Sequence, residues 1–258
     1  MERSKTKCPA WLIALLWLAG CVHLQAQNKY DVLARMLQPY GALFYSKSPI
    51  KALQADVVLR EGPATVANFM NQPVRICFQI PDKLRIETLD PSHPAIFCRS
   101  GQRIWIYPRE LAEQIAPGGG SSSDPAARIP DFRIPFRDNQ IPLLPVLFQV
   151  IRFEPVSDSN DKPAWALDFR PSPELLRQAS EEWSMTAVVD QHDFKLRRLH
   201  IQGRAWTGTF DVLESRFVHE LPPETWEPAP EFAANTREIP PALFGSALEK
   251  LSAITFAR

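Results

Sequence analysis

The chain has 258 residues with 29 basic and 29 acidic side chains, a balance that implies no nucleic acid or other polyelectrolyte as partner. Hydrophobic residues make up 45%, ample for a core, and 25 prolines favour short strands and turns over helical bundles. The four cysteines form no CxxC or Cys/His cluster, which speaks against a zinc site, and no cofactor motif is present.

The first twenty residues read as a signal peptide. Arg3, Lys5 and Lys7 form a basic head before the apolar run WLIALLWLAG, too short to span a bilayer comfortably. The run ends in Leu18-Ala19-Gly20-Cys21, which looks like a bacterial lipobox and predicts lipidation of Cys21. Soluble secretion after Ala26, in the context Leu24-Gln25-Ala26, is the alternative. Val22, where an Asp would resemble an inner-membrane retention signal, favours the outer membrane. The expected domain then covers 21–235, with a flexible loop at 117–142 and a helical extension at 236–258.

Asn28 to Phe44 has helical spacing at Tyr30, Leu33, Met36 and Leu37, with Pro39 either ending or kinking it. KALQADVVLR follows as a first strand, with Leu53, Ala55, Val57 and Leu59 on one face. Residues 65–79 are expected as a longer strand interrupted by Pro73. From Val74 to Pro108, the runs VRICFQ, LRIETL, AIFCRS and RIWIYP alternate with period two and are parted by short turn sequences. They predict a four-strand antiparallel meander with Ile76, Phe78, Leu84 and Ile86 on a greasy face and Arg75, Cys77, Arg85 and Glu87 on a wet one. On the last run, Trp105/Tyr107 and Ile104/Ile106 both fit the inward parity. Cys77 and Cys98 fall on the first and third strands, about 9.6 Å apart, which is too far for a disulfide. They read as small buried hydrophobes.

Beyond Arg109 the sequence loosens. GGGSSSDP at 118–125 is a flexible tract, and Pro130, Pro135 and Pro142 suggest loop-like chain. LLPVLFQVIRF (143–153) is expected as a second apolar helix, either a lid or an ordinary packed helix. WALDF, WSMTAVV and RLHIQ then alternate as strands, with Trp165, Leu167 and Phe169, then Trp183 and Met185, then Leu199 and Ile201, facing inward. GTFDVLESRFVHEL is a strand pair or one long bent strand, and PALFGSALEKLSAITFAR a C-terminal helix. No GxSxG, HExxH, P-loop or GxGxxG is present. The five histidines are scattered, so no nucleophile–base or metal constellation supports an enzyme.

The leading helix, the strand ALQADVVLR, the step PDKLRIE, then SGQRIWIYP, WALDFRPSPE and LPPETWEPAPEF together resemble the LolA/LolB superfamily of lipoprotein carriers and receptors, over about residues 28–232. The resemblance implies a mainly β fold with helices (α+β), a half-open antiparallel β-barrel whose apolar concavity lies under a helical lid. It implies a non-enzymatic envelope protein that binds acyl chains of lipoproteins or lipids and has lipoprotein-sorting partners. A lipid- or protein-binding sensor or scaffold on the same fold is the alternative. Leu53, Val57, Leu59, Ile76, Phe78, Leu84, Ile86, Ile96, Trp105, Tyr107, Trp165, Leu167, Phe169, Trp183 and Met185 are the expected cavity wall. One position departs from the pattern. Carrier members often have an arginine before the proline of the PDKLRIE step that keeps the lid closed; here it is Ile80, so that mechanism does not carry over.

Overall fold

The computed structural model describes residues 28–62, 70–116, 128–134, 137–158, 161–173, 183–204 and 206–245. The leader, Cys21, the Gly/Ser tract, residues 65–69 of the expected long strand and the C-terminal helix beyond Gly245 lie outside the described residues.

Helix α1 (Lys29–Phe44) starts where the Asn28 side chain accepts the Tyr30 N–H at 3.1 Å, and Asp31 complements the positive end of the helix. It runs through Pro39, and Gly41 and Leu43 beyond it are buried. Gly41 is needed for close approach: a Cβ there would lie 3.0 Å from Ile141 Cγ2.

Eleven strands follow: β1 (Ala52–Glu61), β2 (Pro73–Gln79), β3 (Lys83–Thr88), β4 (Ile96–Ser100), β5 (Arg103–Tyr107), β6 (Phe148–Ser157), β7 (Pro163–Pro171), β8 (Trp183–Asp190), β9 (Leu196–Gly203), β10 (Thr207–Val218) and β11 (Arg237–Ile239). They form one antiparallel sheet in the order β11-β5-β4-β3-β2-β1-β10-β9-β8-β7-β6. Two hairpin meanders, β1–β5 and β6–β10, are stitched together where β1 pairs β10, from Ala52↔Val218 to Glu61↔Thr209. Strands β11 and β6 are the two ends of the order and do not pair, so the barrel is open. The predicted meander over 74–108 is present in the predicted order. Cys77 and Cys98 are free and buried, and burial pushes their thiols up to about 11 and about 12.

Two segments differ from expectation, and a third settles an open alternative. LLPVLFQVIRF is not a second α-helix. Its first half belongs to a 3-10 helix (Asp138–Leu147), because Pro142 and Pro145 lack the N–H donors that an α-helix needs. Its second half is edge strand β6, whose Val150 and Phe153 pair with Phe169 and Leu167. Residues 207–218 form one long strand, the second of the two expected forms, with a register shift opposite Asp56/Val57. Strand β11 pairs Ile239 with Ile104, so the sheet runs past the boundary placed at 235. Among the described residues, helices α2 (Arg109–Ile115) and α3 (Pro230–Ala233) follow, with short 3-10 turns at Pro223–Trp226 and Pro241–Leu243.

A half-covered apolar trough as the candidate functional site

Directly paired residues of an antiparallel sheet point to one face, so the register fixes what lines each side. One row across the inner face runs Ile104, Arg99, Leu84, Phe78, Leu53, Phe217. The next runs Ile106, Phe97, Ile86, Ile76, Ala55. On the other half, Leu59, Phe210, Leu199, Ala187 and Leu167 share the same face.

Helices seal the two ends of this face. Over β6–β9, α1 lays Val32, Leu33 and Met36 on Val150, Leu167, Phe169, Ala187 and Val189. Over β4, β5 and β11, α2 lays Leu111, Ala112 and Ile115 on Phe97, Ile104, Ile106 and Ile239. Between the sealed ends, Leu53, Val57, Ile76, Phe78, Leu84, Ile86 and Phe210 are only half-buried. The end of α1 partly roofs them: the Phe44 and Phe78 ring centres stand 6.1 Å apart, those of Tyr40 and Phe217 5.0 Å. Phe132, in the strap 128–134, lies 5.0 Å from Phe78 on the other side. The result is an apolar trough across β3-β2-β1-β10, about 15 Å wide at the usual strand spacing.

The outer face is a polar ladder. Arg75 forms a bidentate pair with Asp56 at 2.7 and 2.8 Å. Arg60 and Arg198 share Asp211 at 2.7 and 2.6 Å; burial raises that carboxyl, and the two guanidinium groups outweigh it and hold it low. Arg152 and Thr186 bind Asp168 at 2.7 and 2.8 Å. Water therefore has one face of these strands and apolar contacts the other.

Twelve of the fifteen predicted cavity residues point to the inner face, and three do not. Ile96, Trp105 and Tyr107 point outward, so their assignment to the cavity wall is corrected. The segment 221–232 covers them there: Trp105 Nε1 donates to the Trp226 carbonyl at 2.9 Å, and the Tyr107 ring lies 4.5 Å from Phe232. With Ala52, Cys77, Cys98 and Leu221 they make a second small core on the face expected to be wet. Inner-face residues also divide. Leu167 and Phe169 are sealed beneath α1, at 0% and 1% exposure, and are core rather than trough wall. Leu59 is nearly buried at 9%, whereas Trp165, Trp183 and Met185 are half-buried. Sequence reasoning missed Phe210 and Arg99. Phe210 was readable from the alternation of Thr-Phe-Asp-Val, once the strand is known to be continuous.

Arg99 is the one charged residue in the row from Ile104 to Phe217. It is 0% exposed, with its guanidinium 4.6 Å from the Phe132 ring centre and 4.9 Å from that of Phe244. Burial pushes its pKa down, against the fields of Asp82 and Asp131.

Among the described residues, no group of three or more His, Cys, Asp or Glu is placed to hold a metal ion. No helix there is long and apolar enough to cross a membrane. His93 and His192 lie in turns closed by Asp90 and Asp190, and His200 bonds Thr209 on the outer face.

Fold and trough define an open antiparallel half-barrel with helices on its apolar side, the class implied by the sequence resemblance. No family model matches the chain, and no curated protein matches it. Solved structures do. The Pseudomonas aeruginosa MucA/MucB complex aligns at 14% identity over 79% of this chain and 62% of that chain, with a TM-score of 0.40. The chain thus spans less than two thirds of that protein's length. Mycobacterium tuberculosis lipoprotein LppX aligns at 9% identity over 75% and 97%, with a TM-score of 0.37. An outer membrane lipoprotein-sorting protein domain from Vibrio parahaemolyticus aligns at 11% identity over 78% and 97%, with a TM-score of 0.33. Likeness of this order concerns the course of the sheet and says nothing of a ligand.

Proposed function

We propose that the protein binds an acyl chain of a lipoprotein or lipid in the trough and serves lipoprotein sorting to the outer membrane. It would be exported, held by acyl chains on Cys21 and facing the periplasm. The observation that carries this reading is the half-buried row Leu53, Phe78, Leu84 with its neighbours Val57, Ile76 and Ile86, apolar and only partly roofed between two sealed ends. Such a surface gains by taking up hydrocarbon, about 0.8 kcal/mol per buried methylene. No bond is made or broken; transfer to an acceptor follows relative affinity. A second reading, a sensor or scaffold, is favoured by Leu143, Val146 and Ile151, exposed at 54%, 68% and 58% beside the free β6 edge, where a protein partner would dock.

Native mass spectrometry of the full chain, extracted from its own membranes, tests the proposal. The expected spectrum shows a mature chain starting at an acylated Cys21 with a non-covalently held lipid. A chain starting at Gln27 without acyl groups contradicts the anchor, and one that never retains lipid contradicts the trough.

A further inference from the structure

The trough meets an arginine that no described carboxylate pairs with directly, although the fields of Asp82 and Asp131 reach it. Arg99 stands beside Leu84 in the row Leu53, Phe78, Leu84, and the side chain is fully buried. Its Nε donates to the Gly101 carbonyl at 3.0 Å, and its Nη2 to the carbonyls of Pro130 at 2.8 Å and Ile129 at 3.5 Å. No carboxylate among the described residues forms an ion pair with Arg99. Arg85 and Arg103 on the two neighbouring strands, and Arg75, Arg152 and Arg198 elsewhere in the sheet, all hold Asp or Glu.

A strut for the strap 128–134 needs no such charge. Gln102 already grips Ile129 from both sides, accepting its N–H at 2.8 Å and donating to its carbonyl at 2.9 Å. The Phe132 N–H also donates to the Pro81 carbonyl at 2.7 Å. An uncharged donor at 99 would serve equally and avoid the dehydration of a full positive charge, which carbonyl dipoles and ring faces offset only in part. What a guanidinium has that an amide lacks is a planar fork fitted to a carboxylate or phosphate.

We infer that the ligand of the trough is an acyl chain with an anionic head, a carboxylate or phosphate, and that Arg99 holds the head while the tail lies along Leu84, Phe78 and Leu53. This rests on the trough being a lipid site. The test titrates the full-length protein with palmitate, hexadecyl phosphate and neutral monopalmitoylglycerol, in the wild type, Arg99→Gln and Arg99→Lys. The wild type should prefer the anionic ligands by about tenfold or more, the effect of one charge-assisted pair. Arg99→Gln should erase that preference while leaving the neutral ligand within about twofold, and Arg99→Lys should keep part of it. The stronger of the two anions tells a fatty acid from a phosphate-bearing lipid. Equal loss for all three ligands, or no change for any, would show Arg99 to be a strut and overturn the inference. A variant that does not fold leaves a measurement on the wild type: carboxyl-labelled palmitate, followed by NMR, should titrate below its free value when bound, and a carboxyl that titrates as in water also overturns it. Wild-type protein that binds none of the three defeats the lipid reading, and this one with it.

Discussion

Asp190 shows how much one side chain fixes in the turn between β8 and β9. Its Oδ1 accepts the N–H groups of His192 and Asp193 at 2.8 and 3.3 Å, and its Oδ2 accepts Arg197 Nη2 at 2.8 Å. Burial alone would raise its pKa; Arg197 and the two N–H groups outweigh this and hold it at about 2, down from 3.8. A carboxyl lowered in the fold contributes stability above its unfolded pKa and loses it as pH falls through the folded one. Asp190→Ala should therefore cost about 1–3 kcal/mol at neutral pH. Melting curves should show that difference shrinking between about pH 4 and pH 2; a difference constant down to pH 2 would contradict the assignment. At this scale the sequence is legible where one face of a strand is plainly polar, as in Arg75, Arg85 and Glu87 beside Ile76, Leu84 and Ile86. It is not legible in Arg-Ile-Trp-Ile-Tyr, apolar on both parities. What turns Trp105 outward is Trp226, far along the chain, and no local pattern carries that information.

Among the elements, α1 and the trough strands face the same sheet surface but carry different loads. Leu33 is 0% exposed against Leu167 and Phe169, whereas Ile86 is half-buried with no helix sealing it. Leu33→Ala should cost about 2–5 kcal/mol, as large-to-small changes in a packed core do. Ile86→Ala should cost clearly less, because the space it opens adjoins an existing trough. Chemical denaturation of both variants checks the contrast; equal losses would mean that Ile86 sits in a filled core. The α1 helix, the β1–β5 meander and strands β7–β9 could be read from period and turn residues. The stretch 143–153 could not, since an unbroken apolar run suits helix and buried strand alike and only length and proline placement decide. A three-residue strand such as β11 is too short to show a period.

For the whole molecule, the decisive contact is β1 with β10, which joins two local meanders into one surface and places Leu53 beside Phe217. Pairing between residues so far apart in sequence leaves no short-range signature, so the half-barrel became readable only through a resemblance spread along the chain. Cys21 precedes the helix cap Asn28 by seven positions, so a lipid on it would keep the start of α1 within about 25 Å of the membrane. The central claim is that the inner face encloses a place for hydrocarbon rather than a filled core. Phe78→Glu tests it most directly, with binding of a fluorescent acyl probe and the circular dichroism melt measured on both proteins. The account predicts that the wild type binds the probe, and that the variant loses binding yet stays folded, its carboxylate hydrated in the half-open trough. A wild type that binds no probe, together with a variant that unfolds, would contradict it.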